Sequence, residues 1–257
     1  MKIQELYTDA SGVSLMWIGN NGWVINLFGV IVCTDPDLYS FDRVPIPTDV
    51  DLNEMAQSIQ VVLITHEHGD HFNEKTCLFL QDNSDCLFLM PSSCEERIAE
   101  IGLDKKRIII TTPGVDISLA ELEIQVKPIR AIHGHLMGSV YEGANLQDCG
   151  YIVSRKGFSF YQPGDTVVLH EHFDMKGIDL LFFSPTEHNM QIENSIRFIR
   201  LIKPNYIFPQ HYASYITTRE NSFWTKGYTD EVYEKLCDEE QKKFVKIPQG
   251  HPYVIKL

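Results

Sequence analysis

The stretch that decides the fold is Val61-Val62-Leu63-Ile64-Thr65-His66-Glu67-His68-Gly69-Asp70-His71. Its first half is continuously apolar, which predicts a strand buried on both faces over residues 61–65. Its second half has the pattern H-x-H-x-D-H. Imidazole and carboxylate groups at this density are the donors that a transition-metal site requires. The stretch therefore predicts a metal-binding turn at the end of a buried strand.

The spacing within the turn also indicates how many metals it serves. His66 and His68 are two residues apart, so on a strand end they project to the same side. Gly69 allows the chain to bend sharply, which places Asp70 and His71 in the turn itself. Two ligand pairs facing neighbouring points indicate a two-metal site. The alternative, a solvated histidine-rich loop, is disfavoured by this spacing.

Length and charge limit the classes of function. The 257 residues fit one large domain or two small ones, and a hydrophobic content of 44% is enough for a substantial core. The net charge is −13, which argues against a general nucleic-acid binder. The basic clusters Lys105–Arg107 and Lys242–Lys243 are short and isolated, and we expect them to be solvated surface.

The lengths of the apolar segments indicate the cellular location and the expected membrane association of the protein. No run approaches the length of a transmembrane helix, and residues 1–5 do not begin a secretory signal, so we expect a cytoplasmic location. Only Phe223-Trp224 suggests a membrane-docking surface, and packing near the site is the preferred explanation. The six cysteines contain no C-x-x-C pair and are expected to be free thiols, mostly in the core.

The hydrophobic pattern alternates strands with helices. Strands are predicted within 13–34, with a tight turn at Asn20-Asn21-Gly22, and at 61–65, 86–90, 107–111, 121–132, 150–154, 158–161, 180–183, 206–209 and 251–257. Helices are predicted at 73–81, 94–101 (capped by Ser92-Ser93 and ended by Gly102), 192–202 and 230–243, with an amphipathic stretch near 52–59. This order favours an α/β protein with two sheets and outer helices.

Three further ligand-type residues follow apolar strands. They are His133, Asp165 and His211, and α/β proteins commonly place their sites at such positions. Each has an alternative: His133 competes with His135 for the same role, Asp165 could stabilise an ordinary turn, and His211 could be a partly buried histidine. Their order behind the first motif favours metal binding.

With these residues the chain resembles the metallo-β-lactamase superfamily, and within it the branch of L-ascorbate-6-phosphate lactonase-like metal-dependent hydrolases. N-acylphosphatidylethanolamine-hydrolysing phospholipase D is a further relative. The resemblance covers essentially the whole chain. It rests on Trp17–Ile25, Thr34-Asp35-Pro36, the H-x-H-x-D-H run, His133, Gly164-Asp165-Thr166, Pro209–Tyr212 and Ile247–Gly250.

The resemblance implies a four-layer αβ/βα sandwich, formed as a single domain over residues 1–257, with its site along one edge of two sheets. It implies one metal held by His66, His68 and His133, a second held by Asp70, His71 and His211, and Asp165 bridging both. Asp35 would accept a hydrogen bond from a ligand histidine and fix its tautomer. The chain departs from the family at His135 and at Ser184–Met190, where relatives often have a glycine-rich loop.

The expected activity is hydrolysis with two divalent transition metals, zinc first and manganese or iron as alternatives. A metal-bridged hydroxide would attack a lactone, ester or phosphoester bond of a small anionic substrate. Asp70 or Asp165 would accept or shuttle the proton. His135, His188 and Tyr212 are candidates for substrate binding or transition-state stabilisation, with ordinary loop roles as the alternative.

The same residues bear on several alternative functions. A phosphodiesterase or phospholipase D-like hydrolase on the same fold is the nearest alternative. An oxygen- or nitric-oxide-reducing di-iron protein is disfavoured because His68 is intact and no flavin domain is evident. A non-catalytic binding module is disfavoured by the intact ligand set. We expect no nucleic-acid partner and no stable membrane association, and homo-oligomerisation stays open.

Overall fold

The computed structural model describes residues 1–40, 42–136, 139–186, 188–213, 216 and 227–257. The chain divides into two compact units. The first unit contains residues 1–111 and 247–257, and the second contains residues 112–246. A single domain over residues 1–257 stays a prediction. Among the helices of the described ranges, none combines the length and apolar character needed to cross a membrane.

The described residues contain strands and helices in both units. The strands are β1 (Val13–Gly19), β2 (Gly22–Leu27), β3 (Val30–Thr34), β4 (Val61–Leu63), β5 (Leu87–Pro91), β6 (Ile108–Thr111), β7 (Ile117–Leu119), β8 (Ile124–Arg130), β9 (Cys149–Arg155), β10 (Phe158–Gln162), β11 (Leu180–Phe183), β12 (Tyr206–Pro209) and β13 (Pro252–Val254). The helices are α1 (Ile3–Thr8), α2 (Leu52–Ser58), α3 (Glu74–Asn83), α4 (Glu95–Ile101), α5 (Gln191–Ile202), α6 (Tyr228–Lys235) and α7 (Asp238–Gln241).

The first unit is built on a seven-stranded sheet of order β13-β1-β2-β3-β4-β5-β6. Strands β1 to β3 pair antiparallel, whereas β3 to β6 pair parallel. Trp23 at the start of β2 pairs with Thr34 at the end of β3, which pairs in turn with Leu63 at the end of β4. The β1–β2 turn and the carboxyl ends of β3 and β4 therefore lie at one edge of this sheet.

Local sequence signals define the helices of the first unit. The side chain of Asp51 accepts hydrogen bonds from the first turn of α2, and Asn73 caps α3 in the same way. Gly102 ends α4 with φ of +73°, as predicted. The predicted cap by Ser92-Ser93 is wrong. Residues Ser92–Cys94 form a 3₁₀ turn that runs directly into α4, so the N-cap residue of α4 is Cys94, which makes no side-chain cap hydrogen bond.

The second unit is built on a six-stranded sheet of order β12-β11-β10-β9-β8-β7. Strands β7 to β10 pair antiparallel, and β10 to β12 pair parallel. Since β9 runs opposite to both of its neighbours, β8 and β10 run in the same direction. The carboxyl ends of β8, β10, β11 and β12 consequently share one edge of the sheet, where α/β proteins concentrate their functional groups.

Two further sequence predictions are corrected in detail. The predicted helix over 230–243 is two helices, because Leu236 turns into the core and Cys237 starts α7, its amide donating to the Glu240 carboxylate. The predicted strand over 121–132 is shorter, because a 3₁₀ turn at Ala120–Leu122 precedes β8. Helix α1 was not predicted. The α/β class with two sheets and flanking helices is confirmed.

Candidate metal centre

In the first unit, Asp35 organises the turn that carries the histidines. It follows β3 directly, and its side chain is fully buried. One carboxylate oxygen accepts from the backbone amide of Thr65 at 2.8 Å, and the other lies 3.0 Å from Nδ1 of His71. A carboxylate accepts hydrogen bonds only, so the His71 proton sits on Nδ1 and leaves the Nε2 lone pair for a ligand. The contact agrees with the role expected of Asp35, and ligation of a metal by His71 stays a prediction.

Thr65 extends the same arrangement to a second histidine. Its hydroxyl donates to Asp35 Oδ2 at 2.8 Å and lies 3.0 Å from Nδ1 of His66. Since the hydroxyl proton is used on Asp35, the His66 Nδ1–H donates to the Thr65 oxygen. His66 therefore also presents the lone pair of Nε2. Sequence reasoning missed Thr65, although it stands directly before the first histidine of the motif.

The three imidazoles of the motif form one cluster. The His66 ring centroid lies 4.6 Å from that of His68 and 4.0 Å from that of His71. His66 and His71 are buried, whereas His68 is exposed. The predicted strand over 61–65 ends at Leu63, so the alternation of a strand does not bring His66 and His68 together. The bend after β4 does so instead.

The β1–β2 turn contacts the other end of the motif. The Asn20 amide donates to both the backbone oxygen and the Oδ2 of Asp70, at 3.1 and 3.2 Å. Arg43 lies 3.5 Å from the same Oδ2 and donates to Asp37 at 2.7 Å. The amide nitrogen of Asn21 lies 3.3 Å from both ring nitrogens of His71. The Asn-Asn-Gly signal, predicted only as a turn, thus also positions ligand-type residues.

In the second unit, Asp165 is the centre of a histidine cluster. Its Oδ2 lies 3.2 Å from Nε2 of His188, 3.2 Å from Nε2 of His211 and 3.6 Å from Nε2 of His133. Asp165 and His211 are almost completely buried. His211 adopts a left-handed backbone with φ of +59°, a conformation that non-glycine residues rarely hold without surrounding support. One carboxylate oxygen thus faces three imidazole nitrogens.

Backbone and side-chain hydrogen bonds hold the His133 and Asp165 loops together. The amide of Ile132 donates to the Thr166 hydroxyl at 3.0 Å, and the amide of Val167 donates to the Ile132 carbonyl at 2.9 Å. His133 Nδ1 lies 2.7 Å from the Gly134 carbonyl, which can only accept. The His133 proton is therefore on Nδ1, and its Nε2 lone pair is directed at the Asp165 carboxylate.

A buried pair of amides connects the loops of Asp165 and His211. Gln162 and Gln210 each donate to the other's side-chain oxygen, at 2.9 and 2.6 Å. Gln162 also accepts from the amide of Gly164, which adopts φ of +64° in the turn before Asp165. Sequence reasoning assigned neither glutamine a role. Their positions at the ends of β10 and β12 were the available signal.

The remaining predicted residues lie in different surroundings. His135 is exposed and stacks on Tyr141, with ring centroids 6.1 Å apart. Tyr212 is largely buried, its ring lies 5.3 Å from the Lys246 ammonium, and burial raises the pKa of its hydroxyl. His188 contacts Asp165 directly, which gives it the strongest link to the cluster among the three substrate candidates. The Phe223-Trp224 stretch lies outside the described residues.

The donor chemistry of both units fits divalent transition metals. The first unit presents buried imidazoles with Nε2 lone pairs beside a carboxylate. In the second, His133, Asp165 and His188 each offer one ligand atom, all within 4.8 Å of one another. Neutral imidazole and carboxylate are the ligands of zinc, manganese and iron sites. Such donors at the strand ends of a mixed α/β fold are typical of metal-dependent enzymes.

Comparison with known proteins identifies the family. Residues 14–211 match the beta-lactamase superfamily domain, so the chain belongs to the metallo-β-lactamase superfamily. A metal-dependent hydrolase of Hyperthermus butylicus is 24% identical over 224 residues, covering 84% of this chain and 90% of that protein. A probable L-ascorbate-6-phosphate lactonase of Salmonella choleraesuis is 24% identical over 120 residues, covering 43% of this chain and 34% of that protein.

A solved structure agrees with this assignment at the level of the fold. The metallo hydrolase Igni18 from Ignicoccus hospitalis superposes with a TM-score of 0.73 at 18% identity, covering 95% of this chain and 99% of that one. The predicted membership of the superfamily and its lactonase-like branch is confirmed. The chain is a metal-dependent hydrolase.

Proposed function

We propose that this hydrolase is binuclear and cleaves a lactone or ester bond of a small anionic substrate. The proposed donors are His66, His68 and His133 for one metal, Asp70, His71 and His211 for the other, and Asp165 for both. Support comes from the position of Asp165 Oδ2, within 3.2 to 3.6 Å of three imidazole nitrogens. A carboxylate that bridges two ions needs such a crowded, ligand-facing position.

Local charge supports an anionic substrate. Five neutral histidines and two carboxylates around two divalent ions leave a charge of about +2. The chain as a whole carries −13, so its long-range field repels anions. Capture of an anion must therefore depend on the site itself. The Arg43 guanidinium lies 3.5 Å from Asp70, but its charge is offset by the buried Asp37 carboxylate at 2.7 Å, so the metals would supply the positive potential.

Bound divalent metals would lower the pKa of water towards about 7 and polarise the bond to be cleaved. The protein's own groups have separate tasks. Asp35 and Thr65 hold the imidazoles of His71 and His66 in one tautomer, so no reorganisation is needed during the reaction. Either Asp70 or Asp165 would accept or shuttle the proton released on attack.

The proposed partner is a small molecule alone. We propose no nucleic-acid partner, which agrees with the surroundings of the main basic cluster. Arg107 of that cluster donates to the backbone oxygens of Cys86 and Gln81 at 2.9 and 2.8 Å, so its guanidinium stabilises the fold. We also propose a cytoplasmic location and no stable membrane association. The proposal leaves the oligomeric state open.

The test combines metal analysis with a substrate screen. Protein purified without chelator should contain about two transition-metal ions per chain, zinc, manganese or iron. The metal-loaded enzyme is then assayed on phosphorylated lactones, uncharged lactones, phosphodiesters and phosphomonoesters. Preferential hydrolysis of anionic lactones supports the proposal, and preferential hydrolysis of phosphodiesters replaces it with the phosphodiesterase alternative. Asp165→Ala should abolish hydrolysis, whereas exposed His170→Gln should retain it.

A further inference from the structure

We propose that His188 is an additional metal ligand, acting with His133 and Asp165 on one ion in the second unit. This inference rests on the proposed metal-dependent function and adds a donor outside the seven proposed above. His188 follows β11 in the chain, in the segment where the resemblance leads one to expect a glycine-rich loop. Its Nε2 lies 3.2 Å from Asp165 Oδ2. Its ring is stacked on that of His133, with centroids 5.5 Å apart and planes 19° apart.

Hydrogen bonding alone does not explain the cluster. Around Asp165 Oδ2, the Nε2 atom of His188 lies at hydrogen-bonding distance, 3.2 Å, whereas that of His133 lies at 3.6 Å, too far for a hydrogen bond. In the neutral ring of His133 the proton is on Nδ1, so the Nε2 lone pair faces the negative oxygen, an arrangement that favours a cation between the two atoms. A cation among these atoms would be coordinated by the carboxylate oxygen and by the imidazole nitrogens, so that their lone pairs would all point at positive charge.

The backbone shows that the two histidine loops are built to approach each other. A Cβ atom added to Gly134 would lie 2.2 Å from the backbone oxygen of His188 and 2.9 Å from the side chain of Val167. Gly134 follows His133 directly, so any other residue here would push the His188 loop away. The absence of a side chain at residue 134 thus allows His133 and His188 to present Nε2 atoms to the same carboxylate.

Three donors on one ion have a consequence for affinity. His133, Asp165 and His188 offer ligand atoms within 4.8 Å of one another from the second unit alone. Loss of His188 should weaken metal binding by at least about 10- to 100-fold, because loss of a residue that only hydrogen-bonds to a metal ligand already has an effect of this size. A role limited to hydrogen bonding with Asp165 would leave the number of bound imidazoles unchanged.

The test compares His188→Gln with the wild type and with His170→Gln, an exposed histidine of the same unit. Apparent dissociation constants for Zn²⁺ and Co²⁺ are measured by chelator competition. The number of paramagnetically shifted imidazole N–H resonances of the Co²⁺ forms is counted by NMR. We expect weaker binding and one fewer shifted resonance in His188→Gln alone. An unchanged set of shifted resonances in His188→Gln would overturn the inference, whether or not the affinity falls.

A crystal structure of the metal-loaded wild type tests the same point without a substitution, should the variant fail to fold. An Nε2-to-ion distance of about 2.0–2.2 Å supports ligation by His188, and a distance beyond about 3 Å overturns it. The two proposals fail differently. If the wild type binds metal and hydrolyses substrate but His188 does not contact the ion, only this inference is overturned. If the wild type shows no metal-dependent hydrolysis, the proposed function is overturned as well.

Discussion

The Asp35 carboxylate lies 3.0 Å from Nδ1 of His71, and both side chains are fully buried. Asp35 follows β3, whereas His71 lies beyond the end of β4, so the contact joins neighbouring parallel strands at their carboxyl ends. A buried carboxylate is costly unless its acceptors are satisfied. The hydrogen bonds from Thr65 and His71 satisfy it, and at the same time they fix the direction of the His71 lone pair.

We expect Asp35→Asn to lower metal affinity by about 10- to 100-fold, because the amide no longer fixes the tautomer of His71. The side-chain nitrogen of the new asparagine cannot accept a hydrogen bond from Thr65 or His71, so the free energy of unfolding should fall by about 1–3 kcal/mol. Metal competition and urea denaturation measure the two effects. Asp85→Asn, at an exposed carboxylate, should change neither. Wild-type metal affinity in Asp35→Asn would contradict the orienting role of Asp35.

Thr65 offers a more selective test, because valine has nearly the same shape but lacks the hydroxyl. Thr65→Val removes the acceptor of the His66 Nδ1 proton and one donor to Asp35. We expect metal affinity to fall by about tenfold or more, and Thr65→Ser, which keeps the hydroxyl, to restore most of it. Equal affinities in the valine and serine variants would show that the side chain acts through packing alone.

The H-x-H-x-D-H run illustrates what the sequence could predict. The grouping of the three histidines and their location after an apolar strand follow from residue type and spacing, and both agree with the structure. Their role as metal donors stays a prediction. The supporting contacts of Thr65, Gln162 and Gln210 depend on which strands become neighbours, and spacing along the chain does not specify this. The helix predicted over 230–243 was wrong for a related reason: continued helical composition does not show that Leu236 turns into the core.

The Gln162–Gln210 pair predicts a measurable coupling. Gln162→Ala leaves the buried amide of Gln210 without its two reciprocal bonds, which should lower the free energy of unfolding by about 1–3 kcal/mol. The double variant should lose less than the sum of the single losses, with a coupling of about 0.5–3 kcal/mol. Urea denaturation of the four proteins measures this coupling. Exposed Gln57→Ala serves as the control, and strict additivity would disprove a cooperative amide pair.

Gly134→Ala tests the close approach of the His133 and His188 loops. The new methyl group would meet the His188 carbonyl oxygen at a distance that no real contact allows, so the loops must separate. We expect a loss of about 1–3 kcal/mol in the free energy of unfolding and reduced metal content. Gly12→Ala, where nothing lies within 4 Å of an added Cβ, is the matched control. Equal stability and metal content in both variants would refute the steric argument.

His172 predicts a pH dependence that is separate from the proposed metal ligands. Burial lowers the pKa of His172 from 6.5 to about 4. Its Nδ1 accepts from the Leu169 amide at 2.9 Å, and its Nε2 lies 3.0 Å from the Tyr161 hydroxyl. Protonation of Nδ1 would break the bond from Leu169, which agrees with a neutral ring in the folded protein.

The sign of the effect follows from proton uptake. Between pH 6.5 and about 4 the unfolded chain binds a proton at His172 that the folded protein does not, so stability falls as the pH falls through this window. The contribution lost should be about 2–4 kcal/mol. His172→Gln keeps a neutral acceptor for Leu169 and should flatten the pH profile of the unfolding free energy, measured by urea denaturation. Exposed His251→Gln should keep the wild-type slope. If both variants retain the wild-type slope, another group controls the acid sensitivity of the fold.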